Sequence, residues 1–264
     1  MSSGLPDTSA VRAPRRWWLH SFAWFGRWAI RRRYRVTVHG AGNVPVTGPV
    51  ILASNHIGII DGPMLACFGP RPAHVLTKDE MFRGALGRFL TAVGQISLYR
   101  GGADPGAIKA CVKVLREGDV VGVFPEGTRG PGTYDALHHG AAYLAMVTGA
   151  PVVPVTMLGS REPGGGRNSL PAKGARIEVV FGEPWTTAPV PWPRTREHVG
   201  AVSAFLREHL LAQLDAARVL TGRDLPGPLP EPGRPGPDPT PDDDARTGVD
   251  VDVATTTVPD QGAS

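Results

Sequence analysis

Val50-Ile51-Leu52-Ala53-Ser54-Asn55-His56-Ile57-Gly58-Ile59-Ile60-Asp61-Gly62-Pro63 decides how this chain folds. Its apolar start predicts a buried strand, which ends in a polar cluster carrying one His and, five positions later, one Asp. At the end of a strand in an α/β sheet, such residues face a cleft. On a continuous helix a five-residue step would leave His56 and Asp61 roughly 140° apart, so they meet only across a turn. Gly58 is expected to supply the permissive backbone of that turn, and Asp61, ahead of Gly62-Pro63, to cap a following helix. Asp61 would then hold one imidazole nitrogen and leave the other to accept a proton, which makes a general base. A surface or core-satisfied histidine beside a helix cap is the plainer alternative.

Working outward, strand-like and helix-like segments alternate. Before the stretch, Val36-Thr37-Val38-His39 alternates as a strand does; after it, a helix is expected from Gly62 to about Phe68 and a strand from His74 to Thr77. Lys78 to Phe82 opens a helical piece with Leu86, Phe89 and Leu90 at helical spacing, and Ile96 to Tyr99 is a short strand. Asp104-Pro105 starts a helix with Ile108, Cys111, Val112 and Leu115 on one stripe, and Gly118 stops it. Asp119 to Phe124 is a buried strand, Leu137 to Thr148 a helix, Pro151 to Met157 a strand. Residues 159–174, rich in Gly with Pro, Arg and Lys, are expected to be a flexible loop; Arg176 to Phe181 is a last strand and Thr195 to Leu220 a last long helix. The alternation predicts an α/β fold with a mostly parallel central sheet covered by helices and its sites at strand ends.

The 264 residues suffice for one α/β domain with tails, and the net charge of +4 conceals an acidic end, so the rest is more basic than the total. An anionic partner is expected: membrane lipid, a phosphorylated substrate or nucleic acid. Residues 1–14 are expected to be disordered. In residues 15–35, four tryptophans and two phenylalanines lie between clusters of arginine, broken by His20 and Arg27. That is short of the ~20 apolar residues that cross a bilayer, and predicts an amphipathic helix on an anionic membrane surface, each cation contributing about 1 kcal/mol near it. The alternative is a helix that packs its aromatic side on the domain. Nucleic acid is set aside because no recognised binding motif accompanies the charge. The domain proper is expected over residues 36–222, followed by a Pro-rich acidic disordered tail over 223–264. Cys67 and Cys111 stand far apart without zinc spacing, so a reducing compartment and core positions are expected, with no metal. The amino terminus lacks a signal-peptide pattern, and the expected location is the cytoplasmic face of the cell membrane.

Three further stretches follow, two with chemistry and one with an architectural role. Ile96-Ser97-Leu98-Tyr99-Arg100 ends a strand in a cation beside glycines, where a guanidinium fork suits a phosphate. Phe124-Pro125-Glu126-Gly127-Thr128-Arg129 delivers a carboxylate, an exposed amide, a hydroxyl and a guanidinium from a buried strand. Such a set suits a polyol phosphate: Glu126 for a hydroxyl, Gly127 and Thr128 for close approach, Arg129 for the phosphate. Ala150-Pro151-Val152-Val153-Pro154-Val155 is an apolar strand with an architectural proline. Together with Asn55-His56 and Asp61, these stretches resemble, in order, the motifs of the glycerolipid acyltransferases over about residues 36–220. Lys78 sits where relatives often carry a cation and is a secondary phosphate candidate. Where relatives often have Phe-Lys-Lys-Gly, this chain has Leu137-His138-His139-Gly140, which removes fixed positive charge.

The resemblance implies transfer of a fatty acyl group from acyl-CoA or acyl carrier protein, as co-substrate, to the hydroxyl of 1-acylglycerol 3-phosphate. It implies His56 as base, Asp61 as its support and no cofactor. No Gly-x-Ser-x-Gly is present and neither Cys lies in a nucleophile phrase, which agrees with direct attack. Backbone amides around Gly58 or Gly127 are the candidate oxyanion donors. Alternatives are another lysolipid, aminolipid or glycolipid acceptor, a thioesterase, and a non-catalytic lipid-binding module.

Overall fold

The computed structural model describes residues 7–9, 11, 14, 17–102 and 104–230. In chain order they form α1 (Trp17–Arg33), β1 (Arg35–His39), β2 (Val50–Ser54), α2 (Asp61–Phe68), β3 (His74–Lys78), α3 (Gly84–Ala92), β4 (Ile96–Leu98), α4 (Pro105–Arg116), β5 (Val120–Val123), α5 (Gly140–Thr148), β6 (Val152–Leu158), β7 (Arg176–Phe181) and α6 (Arg196–Thr221). The seven strands make one sheet in the order β1-β7-β6-β2-β5-β3-β4. From β6 to β4 neighbouring strands are parallel, whereas β7 runs antiparallel to β6 and takes β1 parallel to itself. The sheet is therefore mostly parallel, with a reversed pair at one edge that the alternation of elements did not reveal.

β2 is buried throughout, and apolar as far as Ala53, because helices cover it on both sides. Val50 and Leu52 join the core under α1 and α2, while Ile51 and Ala53 join the core under α4, α5 and α6. Leu206, Leu210 and Leu214 give α6 its buried stripe at four-residue spacing. Each such side chain, fully buried, contributes about 1.5–3 kcal/mol of transfer free energy. Asp104 caps α4 by accepting from the Ala107 amide, and Thr195 caps α6 by accepting from His198. Cys67 and Cys111 are both buried, and desolvation pushes the Cys67 thiol up to about 12 and the Cys111 thiol upward as well, so neither is a ready thiolate.

Several elements depart from expectation. α5 begins at Gly140 rather than Leu137, because the His138 amide donates to the Pro125 carbonyl and folds residues 137–139 over the end of β5. α1 packs its small side inward: Leu19 and Ala23 are buried, while Trp18, Trp24, Phe25 and Trp28 are exposed, Trp24 by 71%. Most of the aromatic side of this helix therefore faces away from the domain, and among its described aromatics Phe22 alone packs against the core. The Arg27 guanidinium ties α1 to the end of α2 through the carbonyls of Cys67 and Gly69, groups a helix terminus leaves without partners. Among the described residues no helix is long and apolar enough to cross a membrane.

The loop over residues 159–174 is not the flexible connection expected. Arg161, only 1% exposed, donates to the carbonyls of Ile57, Gly165, Gly130 and Gly227. Nor does the tail begin at residue 223: Leu225 packs on the core, Pro226 is buried and Gly227 accepts from Arg161. Composition there reads as disorder, but the apolar Leu-Pro pair and one carbonyl find partners on the domain. The expected disorder of residues 1–14 falls largely, and that of 231–264 wholly, outside the described residues.

Candidate active site at the carboxyl ends of the parallel strands

His56 lies two residues beyond β2, and the chain doubles back so that Asp61, the first residue of α2, returns to it. Asp61 is fully buried, and its Oδ2 accepts from His56 Nδ1 at 3.0 Å, from the Ile57 amide at 2.7 Å and from the Gly58 amide at 2.8 Å. An ionised carboxylate only accepts, so the imidazole proton sits on Nδ1 and Nε2 keeps its lone pair. The His56 ring is 14% exposed and stacks on Phe124, with centroids 4.0 Å apart. Asp61 does not cap α2, as expected from sequence, because its carboxylate is turned back into the bend. Gly58 is needed for a different reason from the one expected. A Cβ there would stand 2.3 Å from the Ser160 carbonyl oxygen, so the close approach of the loop after β6 requires glycine.

Strand register brings distant residues to this bend. β2 and β5 pair at a separation of 70 positions, from Val50 with Val120 to Ala53 with Val123. His56 and Glu126 keep the same separation, and the His56 amide donates to Glu126 Oε1 at 3.1 Å. On the other side Asn55 replaces a strand residue: its side-chain amide donates to the Met157 carbonyl at 3.0 Å and its oxygen accepts the Met157 amide at 2.8 Å. Glu126 thus supports the bend, a role sequence reasoning missed when it assigned the carboxylate to a substrate hydroxyl. Burial pushes its carboxyl up to about 7; the hydrogen bond from His56 opposes this and repulsion from Asp61 adds to it.

Gly127 has φ of +66°, and the His138 ring packs so closely that a Cβ there would come within 2.5 Å of it. The Gly127 amide donates to the Phe124 carbonyl and the Gly58 amide to Asp61, so these two of the candidate oxyanion amides are already engaged. Arg129 and Arg100 come close enough to repel each other, and a third guanidinium, Arg167, acts on both. Burial, and after it the charge of Arg167, depress the Arg129 guanidinium, with Asp61 pulling the other way; burial also depresses Arg100, opposed by Glu80. Thr128 accepts from Arg167 Nη1 at 3.1 Å. Lys78 ends β3, level with Leu98 of β4, and no hydrogen bond or ion pair among the described residues joins it to the arginines. His139 Nδ1 bonds the Ser203 hydroxyl of α6 at 2.9 Å. Among the described residues no three His, Cys, Asp or Glu side chains converge as metal ligands do.

An α/β sheet with a His–Asp pair and a cationic rim at its strand ends has the outline of a group-transfer enzyme acting on an anionic substrate. The family described as Acyltransferase matches residues 35–158. The 1-acyl-sn-glycerol-3-phosphate acyltransferase of Bacillus subtilis is 29% identical over 177 residues, 66% of this chain and 86% of that protein. The enzyme of that name from Borreliella burgdorferi is 32% identical over 128 residues, 47% of this chain and 51% of its own. The crystal structure of the 1-acyl-sn-glycerophosphate acyltransferase PlsC from Thermotoga maritima has the same fold, with a TM-score of 0.58 at 22% identity over 78% of this chain and 80% of that one. The match over residues 35–158 and these relatives support the glycerolipid acyltransferase family and an acyltransferase activity, and the shared fold agrees with both.

Proposed function

We propose that this enzyme transfers a fatty acyl group from a thioester, acyl-CoA or acyl carrier protein, to the free hydroxyl of 1-acylglycerol 3-phosphate, giving phosphatidate. The observation that carries the reading is the 3.0 Å contact of His56 Nδ1 with Asp61 Oδ2, set beside Arg100 and Arg129 at one end of the sheet. His56 Nε2 takes the hydroxyl proton as the oxygen attacks the thioester carbonyl carbon, and Asp61 stabilises the imidazolium. When the adduct collapses, the carbon–sulfur bond breaks and the proton passes from His56 to the departing thiolate. Both cysteines are buried and hold their protons, which favours direct attack over an acyl-enzyme. Arg100 and Arg129 bind the phosphate, with Lys78 as an outlying cation at the same edge.

The exposed Trp18, Trp24, Phe25 and Trp28, followed by Arg31, Arg32 and Arg33, suit the headgroup zone of an anionic membrane at the cytoplasmic face. Phe22 meets Phe89 edge-on at 5.2 Å, so the apolar surface continues onto α3 with exposed Leu86. Chemistry there spares the lipid transfer to water, about 0.8 kcal/mol for each methylene. The test is an acceptor screen with labelled acyl thioesters, read by product mass. Phosphatidate from 1-acylglycerol 3-phosphate supports the reading. Free fatty acid at the same rate with and without acceptor would make the protein a thioesterase, and no turnover a lipid-binding module.

A further inference from the structure

The Gly-rich loop after β6 carries a cation that no motif singled out. Arg161 pins the loop's base to the His56 bend through Ile57 and to the Arg129 segment through Gly130. Two tight turns follow, closed by Gly165 donating to Glu162 and Ser169 donating to Gly166, and Arg167 lies in the second. Its Nη1 donates to Thr128, the neighbour of Arg129, and among the described residues that is the one hydrogen bond Arg167 makes. Nε and Nη2 keep their donors. None of Arg100, Arg129 and Arg167 forms an ion pair with a carboxylate among the described residues. At Arg129 the repulsion of Arg167 outweighs the attraction of Asp61. Glu80 acts on Arg100 and Asp61 on Arg129 from beyond ion-pair contact, and three guanidinium groups with no carboxylate in contact among the described residues fit a ligand with more than one negative charge.

We propose that Arg167 is the third guanidinium of the headgroup site and sets its preference for a phosphomonoester over a phosphodiester. A phosphomonoester carries close to two charges at neutral pH and three terminal oxygens, enough for three guanidinium groups; a phosphodiester carries one charge and two free oxygens. This rests on the acceptor reading above and adds its selectivity. His138 packs its ring on Gly127, and His139 is bonded to Ser203 of α6.

The test compares the full chain with Arg167→Gln and Arg167→Lys in two measurements. The first is kcat and KM with 1-acylglycerol 3-phosphate and with lysophosphatidylglycerol as acceptors. The second is titration with glycerol 3-phosphate, a soluble phosphomonoester, which needs no turnover. Arg167→Gln is expected to raise the phosphomonoester KM about ten-fold or more with little change in kcat, as loss of a charge-assisted hydrogen bond requires. The phosphodiester KM stays near the wild-type value, the lysine variant falls between, and glycerol 3-phosphate binding weakens in parallel. An unchanged ratio of the two KM values, or unchanged glycerol 3-phosphate binding, overturns the proposal. If the wild type acylates neither lipid, the acceptor reading fails, and the titration still decides the role of Arg167. Weaker binding to the glutamine variant supports it, while equal binding, or none to the wild type, overturns it.

Discussion

The main-chain amide of His56 donates to Oε1 of Glu126 at 3.1 Å, so the bend after β2 hangs from a side chain that the neighbouring strand supplies. The two residues are 70 positions apart, as are the paired residues of β2 and β5. A shift of one residue in that pairing would take the support away.

This support is pH-dependent. With the Glu126 carboxyl pushed from 4.5 up to about 7 by burial, the native state between those values keeps a proton that the unfolded chain has lost. Stability therefore falls as pH rises through that window, at up to about 1.4 kcal/mol per pH unit for one proton. Glu126→Gln keeps an acceptor for the His56 amide and lacks the titration. Its denaturation midpoint should gain on the wild type from pH 5 to pH 7; a constant difference would show that Glu126 does not titrate there.

Replacing His56 by Ala should lower kcat by about 10²- to 10⁴-fold, the range for loss of a general base, with little change in melting temperature. Asp61→Ala should lower kcat similarly and also destabilise the fold, because the Ile57 and Gly58 amides lose their acceptor. Single-turnover acyl transfer beside thermal melting separates the two. Wild-type turnover in the His56 variant would remove that residue from the chemistry.

Arg161→Ala should strip four carbonyls of their donor and cost about 2–4 kcal/mol. Since those carbonyls include Ile57 and Gly130, activity should fall in the fraction that remains folded. Arg161→Lys offers no planar fork and should restore less than half of the lost stability. Urea denaturation checks both variants.

Changing Trp24, Phe25 and Trp28 together to Ser leaves the buried Leu19 and Ala23 of α1 in place. Binding to anionic vesicles should weaken at least about ten-fold through lost apolar burial, and salt should weaken wild-type binding by screening the arginines. Co-sedimentation measures both effects, and equal sedimentation of variant and wild type would count against membrane contact through α1.

What the sequence determined by itself was local. The apolar run Val50 to Ala53 reads as a buried strand, and a His five residues before an Asp can meet it only across a bend; both follow from residue types and spacing over a few positions. Alternating elements fixed the mostly parallel sheet and pointed to its strand ends as the candidate site. Only the tertiary structure decided what reaches that site from far away: Glu126 beneath His56, Arg161 beneath the bend, and Arg167 beside Thr128, which composition assigned to a flexible loop. It also decided that β7 turns antiparallel, that α1 shows its tryptophans outward, and that residues 223–230 stay on the domain. Spacing along the chain constrains neighbours within a turn or two. Contacts across seventy or a hundred positions depend on strand order and register, and those are settled only when the two faces of the sheet are buried together.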